Sequence, residues 1–230
     1  CFRLLSYFIA LLLFYILGFI LIKGAGVINW DFITMPPTDG MTAGGIWPAI
    51  VGTFYLMLGS AVFAFPVGVM SGIYMSEYAP QGKLVSFIRM MTNNLAGIPS
   101  IVFGLFGMAF FVNYMDFGDS ILAGSLTLGL LALPIVIPGL ILSLGRVSGE
   151  TAPILFTCAA YFLPKLPQGI FDQCMALPYH LYVVATSGTD IDAQMPIAYG
   201  TAFVLIAIVL VMNLLANGIR KHFENKLKAK

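Results

Sequence analysis

Charge is the first thing this sequence lacks. Asp, Glu, Lys and Arg make up 9% of its 230 residues, where a water-soluble domain carries about a quarter. A chain so poor in charge has too little polar surface to clothe a soluble core, which excludes an ordinary soluble domain. Histidine is almost missing, with His180 and His222 alone. The three cysteines, Cys1, Cys158 and Cys174, form no CxxC pair and join no Cys/His cluster. A zinc, haem or redox site therefore has no support from the sequence. No GxxxxGK[ST] occurs, and Gly82-Lys83 stands without the rest of that motif, so the chain has no P-loop with which to hydrolyse ATP. The net charge of +1 gives no reason to expect nucleic acid or an acidic substrate.

What is present is apolar. Hydrophobic residues make up 60% of the chain and mean hydropathy is +0.96. That composition belongs to an all-α polytopic membrane protein. A span needs about 20 apolar residues, and six stretches qualify, at roughly 4–22, 47–74, 90–113, 120–137, 139–163 and 197–219. They define a single transmembrane domain over 1–230. Residues 4–22 have no cleavage-type end and read as a span, not a signal peptide. The chain opens on Cys1 instead of Met, from which we expect a natural N-terminus further upstream. Cys158 falls in an apolar run and reads as a small core residue.

Lys and Arg set the orientation, because they stay on the cytoplasmic side. With the N-terminus inside, Arg3, Lys83, Arg89 and the tail RKHFENKLKAK (220–230) all face the cytoplasm. The outer loops keep only Lys23 and Lys165, and hold Asp31, Asp39, Asp116, Asp119, Asp172, Asp190 and Asp192. Both termini are thus expected to be cytoplasmic. Trp30 and Trp47 suit an interfacial belt. The outer segment 164–196 is the longest, and part of it is expected to lie flat at the interface.

Residues 120–163 are too long for one crossing at 1.5 Å per residue. One crossing would also carry the basic tail outside, against the positive-inside rule. Two crossings must therefore meet near LPIVIPGL (133–140). Membrane helices are normally joined by polar chain at the interface, and IVIPG offers almost none. We expect a cytoplasmic segment to be missing from the sequence between Ile137 and Pro138.

Within SLGRVSGETAPILF (143–156) lie Arg146 and Glu150. A charge at mid-bilayer costs about 2.5–3.5 kcal/mol or more, so such groups face protein or water. The i, i+4 spacing puts both on one face of a helix. They can be a salt bridge that pins helices together. They can also be a path-lining cation held in place by its acid, since the planar arginine fork suits oxyanions such as phosphate. Ser148 and Thr151 accompany the pair, and Gly149 and Pro153 allow close approach and loosen the helix there. A second irregularity, MTNNLAGIPSIVFGLFG (91–107), interrupts a span with Asn93, Asn94, Gly97, Pro99 and Ser100. It reads either as a packed kink or as a broken helix whose polar groups border the path.

GRVSGETAPILF resembles the signature near the fifth span of the phosphate ABC importer permeases of PstA type. Further stretches resemble the same family in the same order: PPTDGMTAGGIWPAIVGT (36–53), FPVGVMSGIYMSEYAP (65–80), LAGIPSIVFGLFG (95–107), GSLTLGLLALPIVI (124–137) and MALPYHLYVVAT (175–186). The resemblance implies six spans in the type I ABC importer fold and a phosphate path shared with a second, similar permease chain. It implies a dimer of cytoplasmic ATPase subunits that hold ATP and Mg, with no cofactor in this chain. It also implies an extracytoplasmic phosphate-binding protein and residence in the bacterial cell membrane. Arg146 matches the family's intramembrane arginine and Glu150 the neighbouring acid of its Gly-Glu-Thr motif. Ser148 and Thr151 complete the expected path, with Asn93, Asn94 and Ser100 as weaker candidates. The family continues after LPIVI with a coupling segment that seats on the ATPase, and this sequence departs from it there.

Three other readings remain at this stage. One is a permease for another oxyanion, such as sulfate or molybdate. Another is an ion-coupled secondary transporter acting alone. The last is an assembly subunit in which Arg146 and Glu150 are only structural.

Overall fold

The structure, a computed structural model, describes residues 2–80, 82–136, 147–188 and 190–228. The described chain is almost entirely helical. In order it comprises α1 (Phe2–Ala25), α2 (Trp30–Thr34), α3 (Trp47–Ile73), α4 (Lys83–Leu95), α5 (Ser100–Gly107), α6 (Ile121–Val136), α7 (Ala152–Leu155), α8 (Leu177–Thr186) and α9 (Ile191–Lys228). The one sheet among the described residues is a two-stranded hairpin, β1 (Pro37–Thr38) against β2 (Ala43–Gly44). The fold is that of an all-α polytopic membrane protein. Helices α1, α3 and residues Ile191–Gly218 of α9 are each long and apolar enough to cross a bilayer. The expected span 139–163 lies partly outside the described residues, as does the Ile137–Pro138 join.

The expected span 90–113 is not one straight helix. Helix α4 meets the segment Ser100–Tyr114 at 100°. Gly97 and Pro99 account for the break, because proline cannot extend a helix that precedes it and biases the residue before it away from helix. Polar residues Lys83, Ser86, Arg89 and Asn93 recur every three or four positions in α4, so this piece is amphipathic where a span would be apolar all round. Beyond α5 the chain continues as a π-helical stretch, Met108–Tyr114.

Helices α3 and α6 form the most extensive helix pair in the described chain. Small residues let them approach. A Cβ on Gly59 would strike the Ser125 side chain, one on Gly124 would strike Leu56 and Cys158, and one on Gly129 would strike Phe63. Lipid gives no hydrophobic drive for helix association, so such close contact is what holds membrane helices together. Helix α1 packs on α9 through Gly24 against Tyr199 and Phe203 and Phe19 edge-on to Tyr199. Most of the rest of α1 is exposed.

The three acidic segments expected on the outer side gather at one end. Phe32, Met41 and Ile46 share a core with Met175, Leu177, Val183 and Ile197. The 114–120 segment joins through Ser120 N–H to Thr157 O and Ile121 N–H to Asp172 O, both at 2.9 Å. The hairpin turn that reaches this core is sharply bent. Asp39, Gly40 and Met41 all have positive φ, at 49°, 64° and 69°. A non-glycine residue rarely adopts that conformation; burial of the Met41 side chain at 1% exposure and a 3.1 Å hydrogen bond from Gln194 Nε2 to Gly40 O hold it.

Candidate functional site

The segment that carries Ser148, Glu150 and Thr151 does not continue as a helix. Val147 is helical, Ser148 and Gly149 form a turn, and α7 starts only at Ala152. The expectation of one helix face running from residue 146 to Glu150 is corrected accordingly. Pro153 supplies the reason. A proline inside a helix clashes with the carbonyl four residues back, which here belongs to Gly149. At the first turn of α7, where Pro153 sits, its missing N–H costs nothing. Arg146 lies outside the described residues.

This irregular segment is wedged between α5 and α6. A Cβ on Gly104 of α5 would meet Ala152 O and the Pro153 backbone, and one on Gly107 would meet Thr127 of α6 and Thr157. Thr127 and Thr157 donate their hydroxyls to Ala123 O and Pro153 O, each at 2.8 Å. Their polarity is thereby satisfied locally, and both are wholly buried.

Ser148, buried, and Glu150, half-buried, line one small cavity. Its other walls come from Thr53, Leu56 and Met57 of α3, Leu128 of α6, Ile154 of α7, and Ala176 and Pro178 ahead of and within α8. The cavity holds about 10 Å³, close to the space one water needs. A carboxylate and two hydroxyl-bearing residues thus border a small space where α3, α6, α7 and the segment leading into α8 converge.

The cavity wall is fixed to α3 by a long-range bond. Leu177 N–H donates to Thr53 Oγ1 at 2.9 Å, and Thr53 in turn donates to Ala49 O at 2.7 Å. Gly52, beside it, leaves room for the Met175 carbonyl and Cys174. Cys174 Sγ faces Cys158 Sγ at 3.4 Å, and both thiols are free and buried.

Of the other predicted residues, Thr151 precedes α7 without lining the cavity. Asn93 and Asn94 are exposed at the end of α4 and do not join the group. Ser100, half-buried, starts α5. It shares a face with Gly104 by its i, i+4 spacing, which directs it toward the α7 side. Thr53, Met57, Ala176 and Pro178 were not singled out from the sequence. For Thr53 and Met57 the signal is GTFYLMLGS (52–60), in which Gly52-Thr53 recurs as Gly59-Ser60 seven residues on, marking the packed face of α3.

A larger groove of about 680 Å³ runs between α3 and α6 under Pro167–Ile170. Tyr55, Leu58, Val62, Phe63 and Leu126 make its walls apolar, and none of the predicted path residues among the described ones lines it. Among the described residues no group of three or more His, Cys, Asp and Glu could hold a metal ion.

In α8, His180 is 1% exposed and its Nδ1 lies 3.3 Å from Thr201 Oγ1. Thr201 donates its own proton to Ile197 O at 2.8 Å, so Nδ1–H is the donor and Nε2 carries the lone pair. Burial lowers the His180 pKa to about 4, because desolvation disfavours the charged ring. This imidazole is a neutral structural strut.

Comparison with known proteins gives three informative relatives. The probable ABC transporter permease protein YqgI of Bacillus subtilis is 31% identical over 96% of this chain and 93% of its own length. The phosphate transport system permease protein PstA of Haemophilus influenzae is 25% identical over 92% of this chain and 87% of its own. PstA of Mycobacterium leprae is 30% identical over 77% and 71%. The match to the Bacillus protein runs over 275 positions, more than the 230 residues of this chain. That relative therefore carries, inside the matched region, residues this chain does not have. No family model matches the chain, and no solved structure matches it.

Proposed function

The chain belongs to the PstA-type permeases of ABC phosphate transporters, and from that premise we propose how it works. It forms one half of a membrane path for inorganic phosphate, the other half coming from a second, similar permease chain. A pair of cytoplasmic ATPase subunits binds ATP and Mg and drives the two halves between outward and inward access. An extracytoplasmic phosphate-binding protein delivers the ion to the end where the three acidic segments gather. The chain sits in the bacterial cell membrane with both termini in the cytoplasm, a placement that its Lys and Arg distribution supports.

In this reading Arg146 meets the anion through its bidentate fork, and Glu150 fixes the guanidinium. Ser148, Thr151 and Ser100 supply neutral donors around them, while Asn93 and Asn94 stand near the bend below. The observation that supports it most is the small cavity at the meeting of α3, α6, α7 and the outer segment, with Ser148 and Glu150 in its wall. The extra residues of the Bacillus relative fit a cytoplasmic coupling segment at the Ile137–Pro138 join, where this sequence has none.

Arg146→Gln tests the path. In membranes that contain all partner subunits, phosphate uptake should be abolished while assembly and ATP hydrolysis persist. Normal uptake would refute the path. Lost assembly would make Arg146 and Glu150 a structural pair. Sulfate is a closely sized competitor, and the relatives' names favour phosphate over it.

A further inference from the structure

Cys158 and Cys174 are sixteen residues apart in sequence, yet their sulfurs stand 3.4 Å from each other. The backbone holds them there. Residues 158–160 and Cys174 run side by side as a short parallel bridge, with Ala160 N–H to Cys174 O at 3.0 Å and Cys174 N–H to Cys158 O at 3.4 Å. Both cysteines are 1% exposed. Between them the chain is loosely attached. Tyr161, Phe162, Lys165, Leu166 and Gln168–Gln173 are all exposed. Its attachments to the rest of the fold include the Ile170 and Asp172 carbonyls, which take the N–H groups of Leu122 and Ile121.

The cysteines also sit at the end where the three acidic segments gather. Under the orientation proposed above, on which this inference rests, that end faces outward. Thiols on that side of the membrane meet oxidants, whereas cytoplasmic thiols are kept reduced.

We propose that Cys158 and Cys174 form an intramolecular disulfide that staples the outer segment 161–173 to the chain following α7. The two sulfurs must approach by little more than an ångström to reach the usual bond length of about 2 Å. The oxidant is a disulfide-bearing thiol oxidoreductase or a small-molecule disulfide on the outer side. One cysteine thiolate attacks that disulfide, forms a mixed disulfide and releases one thiol. The second cysteine then attacks the first sulfur, closes the Cys158–Cys174 bond and releases the second thiol. Two protein thiols are oxidised and one disulfide is reduced to two thiols. Closure precedes docking of the segment, since the docked sulfurs are inaccessible to an oxidant. Once docked, the bond is shielded from reductants by the same burial.

The staple has a mechanical target. Cys174 is two residues from Ala176, which lines the cavity beside Glu150, and three from Leu177, whose N–H bonds to Thr53. Fixing Cys174 therefore fixes the outer wall of that cavity.

The test uses the full chain in its native membrane. The protein is denatured without reductant, alkylated with iodoacetamide, and mapped by peptide mass spectrometry, with a reduced sample alongside. The expected result is an adduct on Cys1 alone before reduction, and on Cys1, Cys158 and Cys174 after it. Adducts on Cys158 and Cys174 without reduction overturn the staple. Lys165→Cys, in a chain whose own cysteines are Ser, is labelled in parallel on intact cells with a membrane-impermeant maleimide. If the thiols are reduced and Lys165→Cys is labelled, the orientation stands and the disulfide alone fails. If Lys165→Cys is labelled only after the membrane is opened, the orientation itself has failed. Reduction should also lower the melting temperature of the natural chain and leave that of Cys158→Ser/Cys174→Ser unchanged. Equal shifts in both would likewise overturn the staple.

Discussion

Thr53 and Leu177 are joined by a 2.9 Å hydrogen bond across 124 residues of sequence. It ties the second span to the start of α8 in a buried place, where neither group has water as a substitute. Thr53→Val keeps the shape and removes the acceptor. Leaving a buried N–H unpaired costs about 1–3 kcal/mol, so the variant should melt earlier in detergent. Thr53→Ser should restore most of the loss. Equal melting of Thr53→Val and the natural protein would show that the bond contributes nothing.

Gly52 gives a steric counterpart. A methyl there would run into the Met175 carbonyl, which is backbone and cannot swing aside. Gly52→Ala should destabilise by about 1–3 kcal/mol, as overpacking does. Gly18→Ala is the control, since nothing lies within 4 Å of its added carbon. It should fall within about 0.5 kcal/mol of neutral or gain slightly. A thermal melt of the two variants side by side decides the matter.

His180 predicts a pH dependence with a definite sign. Its folded pKa, about 4, lies below the ordinary 6.5. Above 6.5 the ring is neutral in both states and contributes no slope. As pH falls from 6.5 toward 4, the unfolded chain takes a proton that the folded chain refuses. Stability therefore drops by up to about 1.4 kcal/mol per pH unit in that window. Below 4 the loss from this residue is complete. His180→Asn keeps a donor for Thr201 and cannot titrate, so its melting curve should lose this part of the slope. An unchanged slope would mean that other groups set it.

Glu150 offers a functional test. If it holds the arginine that meets phosphate, Glu150→Gln removes a charged hydrogen-bond partner worth about 1.5–3 kcal/mol. Uptake should fall by roughly tenfold or more on that basis, with assembly intact. Glu150→Asp should recover part of it. Uptake equal to the natural chain in both variants would separate Glu150 from the path.

The sequence made some of this readable and hid the rest for physical reasons. The helical membrane class followed from composition, and the break near Pro99 followed from proline's missing donor. The turn at Gly149 was open to the same argument, since Pro153 stands four residues later, yet the i, i+4 spacing of two charges suggested a continuous helix. The buried faces were harder to see. Leu56 is 3% exposed and Leu58 is 59% exposed, although the two residues are chemically identical. In a soluble helix polarity would mark the outer face. In a membrane helix lipid accepts Leu58 as readily as protein accepts Leu56, so only the small residues Gly52, Thr53, Gly59 and Ser60 betray the packed side. Contacts between distant segments, such as Thr53 with Leu177 or Cys158 with Cys174, leave no local pattern. They depend on where the segments between the helices fold back.

Helix α9 is 38 residues long, which at 1.5 Å per residue is about 57 Å. The hydrocarbon core is about 30 Å thick, so the helix outreaches it by nearly as much again. Its first turns are clamped by Phe32 and His180, and Pro196, its one internal proline, lies within that clamp. Beyond it the rod has no joint. A tilt imposed on its clamped end must sweep the far basic end through a wider arc. The helix thus converts a small angular change on one side of the membrane into a larger displacement on the other, in the manner of a tiller.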